Sequence, residues 1–125
     1  MLVPDAHIRI WLYGEPADMR KSYNGLSSLV RSKLADDPTS GQLFVFINRR
    51  RTQMKVLYFD GSGYCVWAKR LEQGTFHPGA QTRRKRRLDW THLKLIIDGI
   101  DTDSLRRYKR FSDARRGALM LTSAP

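Results

Sequence analysis

The chain is poor in the side chains on which most metal and redox sites depend. Cys65 is its only cysteine, so it can form neither an intramolecular disulfide nor a cysteine-based zinc cluster. Its three histidines, His7, His77 and His92, lack the close spacing of HExxH metalloproteases and of histidine-paired nickases. We therefore expect no metal and no other cofactor, and a reducing cytoplasm as the setting.

Carboxylates are also scarce and scattered. Glu15 and Glu72 are the only glutamates, and Asp18, Asp60 and Asp98 fall at predicted turns or helix ends. Two-metal phosphoryl transfer requires clustered carboxylates, and nucleotide hydrolysis usually uses a glycine-rich phosphate loop. The sequence has neither pattern, so we predict no catalytic residues and a protein that is not an enzyme.

Long apolar runs are missing as well. No stretch approaches the roughly 18 consecutive apolar residues of a membrane-spanning helix, and the start of the chain lacks the pattern of a secretion signal. We therefore expect no membrane association and no export.

Positive charge, by contrast, is abundant. The 125 residues include 23 lysines and arginines against 12 acidic residues, which gives a formal net charge of +11. So strong an excess on a small body favours a polyanionic partner, and DNA is the first candidate.

Hydrophobic periodicity predicts an α+β fold with a small antiparallel sheet, arranged in two layers. The glycine- and charge-rich segment at residues 74–87 is predicted to be a loop. A short strand at 88–90 and a helix capped by Thr91 are predicted to follow it. We expect one domain at residues 1–101 and a basic, flexible tail at 102–125. The other predicted elements are a strand at 7–13, a helix at 17–34, and a three-stranded meander at 43–47, 54–59 and 64–71.

Three consecutive arginines occupy the turn between the first two strands of the meander. Arg49, Arg50 and Arg51 could bind phosphates or enter a groove, because the planar guanidinium suits both phosphate and guanine edges. Alternatively, they form an exposed turn that discourages edge-to-edge aggregation. Lys55, together with Lys69 and Arg70, would extend a basic strip if these side chains share one face of the sheet, which the pattern leaves open.

The densest charge block lies further along the chain. Such a block can neutralise several phosphates and give salt-sensitive, sequence-independent DNA binding. The alternative is a solvated loop. The residues of this basic block are Arg83, Arg84, Lys85, Arg86 and Arg87.

Asp18, Arg20 and Lys21 stand at the predicted start of the first helix. Capping by Asp18 is the structural interpretation, and partner binding by all three residues is the functional one. The aromatic residues of the meander fit core packing better than base stacking.

Four motifs in this order resemble one protein family. They are DMRKSYNGL (18–26), DDPTSGQLFVFINRRR (36–51), MKVLYFDGSGYCVWAKRLEQGTF (54–76) and DGID (98–101). Together they resemble TnpB, the product of the second open reading frame (Orf2) of IS66-type insertion sequences. Departures are the histidine-proline pair at 77–78, the basic run at 83–87 and the long basic tail.

The resemblance implies a non-catalytic accessory protein of DNA transposition, encoded beside a separate, larger transposase. The implied partners are that transposase and DNA, in particular the ends of the insertion sequence. Two alternatives stay open: an adaptor for the transposase with little DNA specificity of its own, and a metal-dependent nuclease. The resemblance brings no catalytic residues to this chain.

Overall fold

Five strands form one mixed sheet in the computed structural model, which describes residues 7–80 and 83–100. The strands are β1 (Ile10–Tyr13), β2 (Leu43–Ile47), β3 (Gln53–Phe59), β4 (Tyr64–Arg70) and β5 (Lys85–Leu88). The helices are α1 (Tyr23–Lys33) and α2 (Trp90–Ile97).

The spatial order of the strands is β4-β3-β2-β1-β5. β1 and β2 are parallel and joined by α1, whereas every other neighbouring pair is antiparallel. The parallel pair needs a crossover helix, and the antiparallel pairs need only short turns. The predicted α+β class and the meander β2–β3–β4 are confirmed, but the predicted antiparallel sheet is a mixed one, because β1 runs parallel to β2.

The two helices cover opposite faces of the sheet. Ile10 and Leu12 of β1 pack in one core with Leu93 of α2, while Tyr13 packs in a second core with Val30 of α1. Successive side chains of a strand point to opposite faces, so β1 contributes to both cores. The described residues therefore form three layers, with the sheet in the middle, and not the two layers that the sequence predicted.

The sequence predicted a loop for the basic block at 83–87. In the structure, the last three residues of this block lie in the edge strand β5. Its register against β1 pairs Leu88 with Ile10, and Lys85 with Tyr13. Leu88 is almost fully buried and contributes to the core beneath α2. The short strand predicted at 88–90 thus begins three residues earlier, at Lys85, and ends at Leu88, while Trp90 already belongs to α2.

Both helices begin differently from the prediction. α1 starts at Tyr23 and not at residue 17, and its N-cap residue Ser22 makes no side-chain capping bond. α2 is capped by Asp89 and not by Thr91, since the Asp89 carboxylate accepts a 2.7 Å hydrogen bond from the His92 amide. A carboxylate in this position satisfies one of the unpaired amides of the first turn.

The predicted tail at 102–125 lies outside the described residues, so the boundary of the 1–101 domain stays a prediction. Within residues 7–80 and 83–100, no helix is long and apolar enough to cross a membrane. The same residues contain no group of three or more histidine, cysteine, aspartate or glutamate side chains placed to hold a metal ion.

Candidate nucleic-acid interface

The topology of the sheet gathers arginines at one of its ends. β1 and β2 finish there because they are parallel, and β3 and β5 begin there because each is antiparallel to one of them. β4 also finishes there, since Arg70 pairs with Gln53 at the start of β3. We call this the arginine end of the sheet, and it carries Arg49, Arg50, Arg51, Arg70, Arg83 and Arg84.

Asn48 builds the tip that presents the first three arginines. Its side-chain oxygen accepts hydrogen bonds from the amides of Thr52 and Gln53 at 2.9 and 3.0 Å. Its backbone carbonyl accepts the Arg51 amide at 3.0 Å, and Arg51 has a positive φ of 59°. A short amide side chain that binds the backbone in this way fixes the turn, so the three arginines project from a rigid tip.

The three arginines of the tip are exposed. In the described part of the chain, no acceptor or carboxylate pairs with the side chains of Arg49, Arg50 and Arg51. Arg83, which is exposed beside the start of β5, likewise has no side-chain partner there. Within residues 7–80 and 83–100, these four cations therefore have no partner to lose when they bind a phosphate.

The start of β5 is fixed against the end of β1. The Gly14 amide donates a 2.7 Å hydrogen bond to the Arg84 carbonyl, and a Cβ atom at Gly14 would overlap the Arg83 carbonyl. Glu15 accepts a 2.9 Å hydrogen bond from Nε of Arg84, and the Tyr13 hydroxyl lies 3.4 Å from the same carboxylate oxygen. Burial and the Glu15 charge together raise the pKa of Tyr13. The carboxylate of Glu15 therefore partly offsets the charge of the arginine end.

Lys85 has an internal partner. Its Nζ atom donates to Asp36 Oδ2 at 2.7 Å and lies 4.2 Å from the centre of the Trp11 ring. Gln42 completes the network, because it accepts from Trp11 Nε1 at 2.7 Å and donates to Asp36 Oδ1 at 3.1 Å. Lys85 therefore joins the edge strand to the segment after α1.

The last two members of the basic block lie on different faces of β5. Arg86 lies on the α2 side, where it donates to the Ala80 carbonyl at 3.3 Å and approaches the His92 ring. Partial burial lowers the pKa of Arg86 from its usual value. Arg87 is exposed on the α1 side, with its guanidinium 5.9 Å from the Trp11 ring centre.

The basic strip that could have run along the sheet does not form. Lys55 lies on the α1 face, where its Nζ atom donates to the Lys21 carbonyl at 2.7 Å. Lys69 lies on the α2 face and donates to the Ile97 carbonyl at 3.0 Å, at the end of α2. Of the three residues, Arg70 alone is exposed at the arginine end, 3.3 Å from Glu72.

The segment before α1 is paired within itself. Asp18 accepts the Arg20 amide at 2.9 Å and forms a 2.8 Å ion pair with the Arg20 guanidinium. Hydrogen bonds from the Arg20 side chain and amide lower the pKa of Asp18 to about 2. Asp18 therefore stabilises this turn and does not cap α1, while Lys21 supplies the carbonyl that Lys55 binds.

The aromatic side chains of the meander contribute to the two cores, as the sequence predicted. Tyr58 and Trp67 pack against the core beneath α2, as does Trp90 of α2 itself, and Tyr64 packs against the core beneath α1. Phe59 and Tyr64 make an edge-to-face contact with ring centres 5.3 Å apart.

Sequence reasoning missed a cleft at the arginine end and the role of Glu15 beside it. The cleft has a volume of about 360 Å³ and is bordered by the end of β1, the arginine tip and the segment around Pro78. The position of Glu15 directly after a predicted strand, beside a turn, was the available signal. Its contact with Arg84 depends on the pairing of residues 85–87 with β1, where the sequence predicted a loop.

A family model described as "IS66 Orf2 like protein" matches residues 8–107 of the chain. The chain belongs to this family. It is also 33% identical over 107 residues to the "Uncharacterized protein y4jC" of Sinorhizobium fredii, an alignment that covers 86% of this chain and 92% of that protein. A second protein of the same organism, "Uncharacterized protein y4hO", is 32% identical over 101 residues, covering 81% and 88% of the two chains. No solved structure matches significantly.

Membership of the IS66 Orf2-like family supports an accessory role in the transposition of an insertion sequence. The resemblance expected from the four motifs is confirmed. The family is one of accessory proteins and is not known as a family of enzymes.

Proposed function

We propose that this IS66 Orf2-like protein is a non-catalytic accessory factor that binds DNA through its arginine end and assists a separate transposase. The observation that carries the proposal is the convergence of five strand ends on one surface. That convergence places the Arg49–Arg51 tip beside Arg83 and Arg84, which are distant in sequence.

The contacts of the basic side chains support DNA binding at the arginine end. Lys55, Lys69 and Lys85 donate to acceptors within the fold. The tip arginines and Arg83 are exposed and have no such partner among the described residues. Exposed guanidinium groups on a rigid tip can make bidentate contacts with phosphates, and each neutralised phosphate releases counterions.

The shape of the interface also suits a duplex. A two-stranded ribbon with arginines at its tip can enter a major groove or straddle a phosphate backbone. Arg70 lies at the same end, where the neighbouring strand β4 finishes, and Arg83 and Arg84 lie there too, just before the edge strand β5. They would contact phosphates on either side of the tip, which positions a protein without reading sequence.

The direct test is binding to a labelled duplex from the element end and to a scrambled duplex of equal length, over a series of salt concentrations. We expect binding to both duplexes at low salt, with an affinity that falls steeply as salt rises. A preference for the element end that persists at physiological salt would mean that the tip reads sequence or shape. A folded protein that binds neither duplex at low ionic strength would refute the proposal.

An adaptor role is the second candidate, and one observation favours it. Tyr23 at the start of α1 is 50% exposed, the one large hydrophobic side chain so exposed among the described residues. It follows directly on the turn of Asp18, Arg20 and Lys21, so this surface could contact the transposase. The test is copurification of this protein with the transposase after nuclease treatment. Loss of copurification in Tyr23→Ser, with copurification kept in Tyr64→Phe, would support this role. Loss of copurification in neither variant would argue against this surface.

A further inference from the structure

The cleft at the arginine end combines two kinds of chemistry. Arg49 and Arg51 border it on the hairpin tip, and Glu15 borders it on the segment after β1. A bare anion would use only the arginines and would be repelled by the carboxylate. A ligand that carries both an anionic group and a hydrogen-bond donor would use both borders.

The volume of the cleft further limits the kind of ligand that it can hold. A volume of about 360 Å³ falls near the lower end of the usual range of ligand pockets, roughly 300 to 1,000 Å³. Such a space accepts one nucleotide but cannot accept a base pair within a duplex. A nucleotide also has the required groups, since its phosphate is anionic and most bases carry an amino donor that a glutamate can accept.

The borders of the cleft are held in place. The tip is fixed by the Asn48 hydrogen bonds, and the Phe76 amide donates to the Arg51 carbonyl at 2.7 Å, which ties the segment leading to Pro78 against the tip. Glu15 is fixed by Arg84 at 2.9 Å. A preformed cleft loses little conformational freedom when it is filled.

We propose that this cleft receives a single unpaired nucleotide at the end of a DNA strand, with Arg49 and Arg51 on its phosphate and Glu15 near its base. The inference rests on the proposed function and adds the class of DNA that the arginine end prefers. An unpaired terminal nucleotide suits the cleft better than an internal one, because no base pair has to be opened to present it.

The test compares two labelled hairpin duplexes that carry the same number of phosphates. One ends in a blunt base pair, and the other ends in unpaired nucleotides in place of that pair. We expect the unpaired end to bind about tenfold more tightly, the size of one additional charge-assisted contact.

Variants that fill the cleft distinguish the effect of the cleft on DNA binding from the effect of the surrounding charge. Ala80→Phe and Pro16→Phe fill the cleft without changing a charge, and Thr75→Phe adds the same ring at an exposed position outside it. We expect both filling variants to lose the preference for the unpaired end while keeping their affinity for the blunt duplex. Thr75→Phe should keep both.

The outcomes distinguish this inference from the proposed function. Equal binding of blunt and unpaired ends by the unaltered protein would overturn the inference and leave the DNA-binding proposal intact. An unchanged preference in both folded filling variants would overturn it as well. Absence of binding to every duplex would refute the proposed function and the inference together.

Discussion

Lys85 Nζ and Asp36 Oδ2 are 2.7 Å apart, and this ion pair holds the edge strand β5 to the segment that follows α1. Both side chains are mostly buried, with 29% and 19% exposure. The pair explains how a strand that starts with three basic residues can join the sheet, because its lysine has a carboxylate and an aromatic ring as partners.

The first prediction concerns this pair and pH. Burial alone would raise the pKa of Asp36, but hydrogen bonds from Lys85, the Asp37 amide and Gln42 hold it below its ordinary value. A lowered pKa in the folded state contributes stability that is present above the unfolded pKa, about 3.9, and lost as pH falls through the folded pKa. We expect the free energy of unfolding to decrease below about pH 4.

Lys85→Met should lower the free energy of unfolding at neutral pH by about 1 to 2 kcal/mol, between the values of exposed and buried pairs. It should also raise the pKa of Asp36, measured by carbon NMR of the carboxyl group. Arg87→Met, on the same face of β5 but exposed, is the matched control and should leave that pKa unchanged. An identical Asp36 titration in the protein and in Lys85→Met would show that the pair does not form.

The second prediction separates lysines that stabilise the fold from the arginines that we propose bind DNA. Lys55→Met removes a charge-assisted hydrogen bond to the segment before α1, and Lys69→Met removes one at the end of α2. Each should lower the free energy of unfolding by about 1 to 2 kcal/mol, with little effect on DNA affinity in the folded protein. Arg50→Met should lower DNA affinity and have little effect on the free energy of unfolding. Urea unfolding and DNA titration of all three variants provide the measurement, and equal losses of affinity would contradict the division.

The third prediction concerns Glu15. Its carboxylate pairs with Arg84 and adds negative charge to the proposed DNA interface. Glu15→Gln should therefore increase affinity for a blunt duplex several-fold and steepen the salt dependence by about one phosphate equivalent, or 0.9 in the logarithmic slope. It should also bring the pKa of Tyr13 closer to its ordinary value, because the Glu15 charge is one cause of the shift.

Asp37→Asn is the control for Glu15→Gln, since it removes one negative charge from the segment after α1. α1 runs from the arginine end to the opposite end of the sheet, so Asp37 lies away from the proposed interface. We expect no change in salt dependence for this variant. An equal gain in both variants would mean that net charge, and not the arginine end, controls binding.

The sequence predicted the meander well because its information is local. Apolar side chains fill Leu43–Ile47, and Asn48 and Asp60 supply the turn chemistry on which the two hairpins depend. The arginine tip followed from these turns. By contrast, β5 could not be predicted from KRRL, since its pairing depends on β1 and its lysine on Asp36, which lies 49 residues earlier.

One further wrong prediction and two features that the sequence left open have similar causes. Asp18 resembles a capping residue in sequence, yet it pairs with Arg20 two residues later and α1 starts beyond it. The faces of Lys55 and Lys69 depend on strand register, which places successive side chains on opposite sides of the sheet. The apolar pattern of α2 predicted a buried helix but did not indicate which face of the sheet it would cover.

The central claim is that the tip of the β2–β3 hairpin is the main contact with DNA. It is tested most directly by the salt dependence of duplex binding in a variant with Arg49, Arg50 and Arg51 all changed to Gln. The control changes Arg9, Arg31 and Lys33 to Gln, which removes the same charge from exposed positions away from the arginine end. We predict a logarithmic salt slope that is shallower by about 2.7 in the tip variant, from three lost phosphate contacts, and unchanged in the control. Equal changes in the two folded variants would contradict the account, because binding would then depend on total charge alone.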